Sequence, residues 1–220
     1  MKLIGFPPSP YTARVMLFAR LKGLDLVRES PPGGLHSPEF KAINPIGKIP
    51  VLQTDDGQLL PESSVICEYL EDVHPAVPGL PGSAPDKARA RLIARVYDLY
   101  AAARSTTLMR QIGVADADPK AREAALAGLA AGLGHVERLM ADAAYAAGAR
   151  PSLADCALLP PIVQIKRVAA PMFGLQDPTL GNGRFGKWWK TISADAMFSG
   201  FAQEYDKAVQ GLVEKRLAGG

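Results

Sequence analysis

Hydrophobic and polar positions follow two different periods along this chain, and the change from one to the other divides it. In the first part, Lys2 to Phe6 reads as a strand that ends at Pro7-Pro8, because proline has no N–H to give to a ladder. Ser9-Pro10 then opens a helix, with serine as the cap and proline at the first helical position. Val15, Leu17-Phe18 and Leu21 mark its apolar face, and Gly23 supplies the stop before a second strand, Asp25 to Glu29. Strand, helix and strand in that order predict a parallel pair. Val51 to Thr54 and Gln58 to Leu60 flank Asp55-Asp56-Gly57, a turn sequence that predicts an antiparallel hairpin. Ser63 to Val73 follows as a helix with Val65-Ile66, Tyr69-Leu70 and Val73 inward.

After Pro85 the short alternation gives way to helical spacing. Asp86 to about Ile112 predicts one long helix, with Leu92, Val96, Leu99-Tyr100 and Leu108 recurring along it. Pro119 to about Ala144 predicts the next. Pro151-Ser152-Leu153-Ala154-Asp155 is a capping signal: Ser152 caps the helix and Asp155 can accept from the serine amide. The apolar run behind it should be buried, and Pro160-Pro161 should distort or kink it. Gly186-Lys187-Trp188-Trp189 begins a last helix, with both tryptophans packed between helices. The Pro/Gly-rich stretch 74–85 is the domain boundary. The expected organisation is α/β plus all-α: a thioredoxin-like domain over 1–77, a linker over 78–86, and an all-helical domain over 87–220.

Composition narrows the function classes. Of 220 residues, 48% are hydrophobic and 21% charged, which suits a soluble globular chain. No apolar stretch reaches the roughly 18 residues of a membrane span, and Met1-Lys2-Leu3-Ile4 lacks the shape of a signal peptide, so the expected location is the cytoplasm. The net charge of +3 comes from scattered cations with nearly as many acids, which argues against a nucleic-acid partner. His36, His74 and His135 are far apart, and Cys67 and Cys156 each sit alone in an apolar helical pattern. Neither a metal nor a disulfide framework is therefore expected.

Three features of the first domain could carry chemistry, and each has a plainer structural reading. Ser9 is a helix cap, yet a cap hydroxyl that accepts from the helix can still donate its proton to an anion, where the helix dipole favours negative charge. Glu62-Ser63 could be first-turn charge and cap. It also suits an amino acid head group, Glu62 for the ammonium and Ser63 with the helix amides for the carboxylate. Pro50, ahead of Val51-Leu52, could be an edge-strand start. With a cis bond it would leave Ile49's N–H and C=O to pair with an extended peptide.

With SPYTARVMLFARLKG, HSPEFKAINPIGKIPVL and PESSVICEYL in that order, the chain resembles the glutathione transferase superfamily. The all-helical second half, the Ser152-to-Asp155 capping signal and the late tryptophans extend the resemblance over nearly the whole chain. It implies glutathione as co-substrate, with no metal. Ile49 would pair with the cysteinyl unit, Pro50 being cis; Glu62 and Ser63 would hold the γ-glutamyl head; Lys48 and His36 would meet the glycyl carboxylate. Ser9 matches the catalytic serine of the serine-type classes, with Tyr11 and Thr12 as rival hydroxyls. Tyr11, Tyr100, Arg104 and Leu108 are candidates for the pocket of a small hydrophobic electrophile, or else pack between helices. The family is usually dimeric, so a homodimer is implied, with no nucleic acid and no membrane. No cysteine lies near Ser9, which argues against thiol-reductase classes, and the Ser-Ser-Cys sequence of the isomerase-like zeta class is absent. The expected activity is conjugation of glutathione to an electrophile. Peroxidase or isomerase activity on the same fold is the alternative, or a non-catalytic binding role.

Overall fold

In the computed structural model, which describes residues 1–219, the first apolar runs become three-residue strands. The elements are β1 (Lys2–Ile4), α1 (Pro10–Leu21), β2 (Val27–Glu29), α2 (Pro38–Ile43), β3 (Val51–Gln53), β4 (Leu59–Pro61) and α3 (Ser63–Val73). The sheet order is β2-β1-β3-β4. β2 lies parallel to β1 and β3 antiparallel to β4, as the strand-helix-strand and hairpin patterns predict, and β3 also pairs antiparallel with β1. With α1 packed on α3, this is the thioredoxin-like fold. Besides strand ends that shift by one or two residues, two details differ from the sequence reading. α2 was not foreseen, although Ser37-Pro38 opens it with the same cap-and-proline signal as Ser9-Pro10. On α3 the buried stripe is Ser63, Ile66, Cys67 and Leu70, at helical spacing, while Val65 and Val73 face outward.

The chain divides into two compact units, Met1–Gly79 and a second beginning at Leu80. The first ends in a buried clamp. Lys22 Nζ, whose side chain is wholly covered, donates to Glu71 Oε2 at 2.5 Å and to the Val77 carbonyl at 2.7 Å, and Glu71 accepts the Gly79 N–H at 2.8 Å. A buried ammonium is tolerable only when paired in this way.

The second unit is helical: α4 (Ala84–Tyr100), α5 (Ala102–Arg110), α6 (Pro119–Leu139), α7 (Leu153–Gln164), a π-helical turn (Ile165–Ala169), α8 (Ala170–Phe173), α9 (Arg184–Ala194) and α10 (Ala196–Ala218). The single helix expected over 86–112 is two helices broken at Ala101. Gly132 of α6 approaches this break so closely that a Cβ there would lie 2.5 Å from the Tyr100 carbonyl oxygen. The buried stripe of α4 is Ala90, Ile93, Ala94 and Tyr97; the larger Leu92, Leu99 and Tyr100 are exposed. α6 stops at Leu139, short of the expected Ala144, and α10 was not foreseen.

At the head of α7 the capping signal is realised in full. Asp155, wholly buried, accepts from Ser152 N at 2.8 Å, Ser152 Oγ at 3.1 Å, Ala146 N at 2.8 Å and Trp188 Nε1 at 2.8 Å. Burial pushes its carboxyl pKa up, and these four donors pull against that shift. α7 runs through Pro160-Pro161 with every residue buried and passes into the π-helical turn behind them. Trp188 packs inside as expected, whereas Trp189 is only half-buried.

Candidate active site at one end of the sheet

Strand register decides which loops meet. Ile4 lies opposite Val51, Val51 opposite Pro61, and Ile4 beside Glu29, so these four residues form one row across one end of the sheet. The chain leaves or enters that row at four places: from Ile4 toward Ser9, from Glu29 toward His36, through Ile49-Pro50 into Val51, and from Pro61 into Glu62-Ser63. Seven of the predicted site residues, Ser9, His36, Lys48, Ile49, Pro50, Glu62 and Ser63, therefore belong to loops or a helix start at the same sheet end. Ile4, Val51 and Phe40 pack together beneath them, with Leu35, Ile43 and Ile49 against this cluster.

Ser9 caps α1 from an extended conformation, its Oγ accepting the Thr12 N–H at 3.3 Å. Among the described residues the Ser9 hydroxyl proton meets no acceptor, so it remains available to an anion placed at the α1 N-terminus. The rivals are placed differently. The Thr12 hydroxyl is buried without a hydrogen bond, turned toward Gly5, where an added Cβ would collide with it. Tyr11 is half-buried, and the Arg14 guanidinium lies 5.3 Å from its ring centroid.

The Ile49-Pro50 bond is cis. Asn44 shapes the loop before it, donating from Nδ2 to the Lys48 carbonyl at 2.7 Å and accepting the Ile46 N–H on Oδ1 at 3.1 Å. Lys48 and His36 are both exposed. Glu62, also exposed, is the N-cap of α3 at φ 72°, a left-handed conformation costing a non-glycine residue about 1–3 kcal/mol. The next residue, Ser63, is buried, and its Oγ accepts from Arg14 Nη1 at 3.3 Å. A spare hydroxyl proton at one helix start and a hydroxyl with helix amides at another can hold a thiolate and a carboxylate respectively.

In the helical unit, the proposed electrophile residues serve other contacts. Leu108 is buried, Tyr100 meets His135 of α6 edge-on at 6.0 Å between ring centroids, and Arg104 lies along Gly128 of α6. This unit also holds a cleft of about 380 Å³ lined by residues including Val163, Lys166, Arg167 and Trp189, none of which the sequence marks as a site residue.

Sequence reasoning also missed Asn44 and Arg14. Asn44-Pro45 was legible as a turn opener. Arg14 carried no signal, since an arginine inside an amphipathic helix reads as solvent-facing. Among the described residues no group of three or more His, Cys, Asp or Glu is arranged to hold a metal, and no helix is long and apolar enough to cross a membrane.

Residues 3–78 match the glutathione S-transferase N-terminal domain and residues 119–190 its C-terminal domain. A maleylacetoacetate isomerase from Pseudomonas aeruginosa is 36% identical over 181 residues, covering 76% of this chain and 82% of that protein. A glutathione S-transferase from Pseudomonas putida is 33% identical over 157 residues, covering 70% of each. Glutathione transferase F7 from Populus trichocarpa has the same fold, with a TM-score of 0.74 at 24% identity over 93% of this chain and 98% of that one.

Proposed function

We infer the reaction from one premise: this chain belongs to the glutathione transferase superfamily. It is an enzyme that holds glutathione along the end of its sheet, with the sulfur beside Ser9, and uses the thiolate as a nucleophilic catalyst of cis-trans isomerisation. What carries the reading over simple conjugation is the 36% identity to the Pseudomonas aeruginosa maleylacetoacetate isomerase across 82% of that protein.

Ionising the thiol is within reach of the groups present. A free thiol with pKa about 8.5 is only a few per cent thiolate at pH 7, and lowering that pKa by about two requires roughly 2.7 kcal/mol. One hydrogen bond to an anion supplies about 1.5–3 kcal/mol, and a helix N-terminus about 0.3–1. Ser9 supplies both terms, since its hydroxyl proton is spare and it heads a helix of 12 residues. No general base is required.

The thiolate then adds to the β-carbon of a double bond conjugated to a carbonyl, and the displaced electron pair moves to the carbonyl oxygen as an enolate. The former double bond is now single and rotates. When the enolate collapses it expels the thiolate and leaves the trans alkene, with glutathione regenerated and no proton gained or lost. Conjugation shares the first step and differs in the second, the enolate being protonated before sulfur can leave. The absence of a Ser-Ser-Cys sequence at Ser9-Pro10-Tyr11, together with the 33% identity to the Pseudomonas putida transferase, supports conjugation as a second reading.

Stoichiometry separates them. With maleylacetoacetate in excess over glutathione, isomerisation gives many turnovers per glutathione and leaves its thiol titre constant. Loss of one thiol per substrate consumed, with a thioether as product, would overturn the isomerase reading in favour of conjugation.

A further inference from the structure

Arg14 is 2% exposed on α1, and it reaches across the α1–α3 contact to the first residue of α3. Burying a guanidinium costs several kcal/mol unless its donors and its charge are met. One of its donors goes to a serine hydroxyl, Nη1 to Ser63 Oγ at 3.3 Å. The Tyr11 ring lies against the guanidinium, its centroid 5.3 Å from the guanidinium carbon.

The direction of that hydrogen bond matters. Arginine carries only donors, so Ser63 Oγ must accept, and the single hydroxyl proton is then turned away from Arg14. Ser63 itself is 5% exposed and heads α3, whose first amides have no partner inside the helix. Three positive features therefore converge on one point: the hydroxyl proton, the α3 amides, and the buried cation behind the oxygen.

We propose that Arg14 is a positioning residue for the α-carboxylate of the ligand's γ-glutamyl group. By holding the Ser63 oxygen as an acceptor it aims the Ser63 proton at that carboxylate, and its charge adds to the attraction. This rests on glutathione binding at the sheet end, as argued above. Arg14 does not touch the sulfur, and its effect falls on binding one end of the ligand.

The test compares two peptides by calorimetry: glutathione, and its analogue in which hydrogen replaces the γ-glutamyl α-carboxylate. Arg14→Met should weaken glutathione at least tenfold while changing the analogue less than twofold. Arg14→Lys, which keeps the charge and loses the fork, should fall between wild type and Arg14→Met for glutathione alone. Equal weakening of both peptides would show a merely structural arginine and overturn the proposal, as would no change in either. Should Arg14→Met fail to fold, the comparison is made with Arg14→Lys alone and with Ser63→Ala. Ser63→Ala must then remove most of the effect of Arg14→Lys, and full additivity of the two changes would sink the idea. If the wild-type protein binds neither peptide, the glutathione reading falls and this one with it. If it binds glutathione and the preference ignores Arg14, only this inference falls.

Discussion

Ser9 at the head of α1 and Ser152 at the head of α7 are the same local device put to different ends. Both cap a 12-residue helix, and both accept an amide from the first turn. Three residues after Ser152 stands Asp155, which takes the Ser152 hydroxyl proton at 3.1 Å and gathers Ala146 and Trp188 as well. Three residues after Ser9 stands Thr12, which supplies its N–H and cannot take the proton as a carboxylate would. Two further N-cap serines follow the Ser152 pattern: Ser83 donates to Asp86 Oδ2 at 2.7 Å, and Ser37 to the Pro32 carbonyl at 2.7 Å. A cap whose proton is already engaged is structural. A cap whose proton is spare can meet an anion.

The largest expected effect lies on the structural side. Asp155→Ala orphans buried donors on Ala146 and Trp188 and removes the Ser152 partner, so denaturant titration should show a loss of about 3–5 kcal/mol. A loss under about 1 kcal/mol would mean the box is not what holds α7, and the contrast with Ser9 would lose one side.

On the other side, Ser9→Ala should cost the fold only about 1 kcal/mol of capping energy, while turnover at pH 7 falls roughly 10- to 100-fold, as expected for one lost hydrogen bond to an anion. The sign with pH follows. Removing a donor to the thiolate raises the pKa of the bound thiol, so the deficit should be greatest below neutrality and close as pH rises past that of free glutathione. A rate deficit independent of pH would mean Ser9 acts on something other than ionisation.

Thr12→Val sharpens the assignment. It removes a buried hydroxyl that has no partner, so the protein should gain up to about 1 kcal/mol with the bound-thiol pKa unchanged, provided Ser9 is the donor. A raised thiol pKa in this variant would transfer the role to Thr12. The smallest effect is expected for Tyr11→Phe: turnover within about twofold of wild type and the same pH profile, because the ring that faces Arg14 is retained.

Much of this arrangement was legible in the sequence because it is local. A cap is a matter of residues three apart, which is why Ser9 and the Ser152-Asp155 pair could be placed before any fold was known; on α3 the cap position falls to Glu62 and Ser63 is the first helical residue. The hairpin around Asp55-Asp56-Gly57 likewise needs no distant information. What failed depended on packing between segments. The break at Ala101 is tied to Gly132, some thirty positions away along the chain, so no window over 86–112 could reveal it. Leu92 and Leu99 drew attention by size, yet small Ala90 and Ala94 occupy the covered face, because close helix approach favours small side chains. Arg14 was invisible for a related reason: its buried partner, Ser63, lies on another helix.

The row formed by Ile4, Val51 and Pro61 fixes more than proximity. Side chains along a strand point alternately to the two faces, so a single inserted residue within β3 would invert that strand and carry Ile49-Pro50 out of line with both neighbours. The Asp55-to-Gly57 turn sits at the far edge of the same strands. Extra residues grafted there lengthen a loop without touching the register, which makes that tip a tolerant place for a label or a fused peptide in a working enzyme.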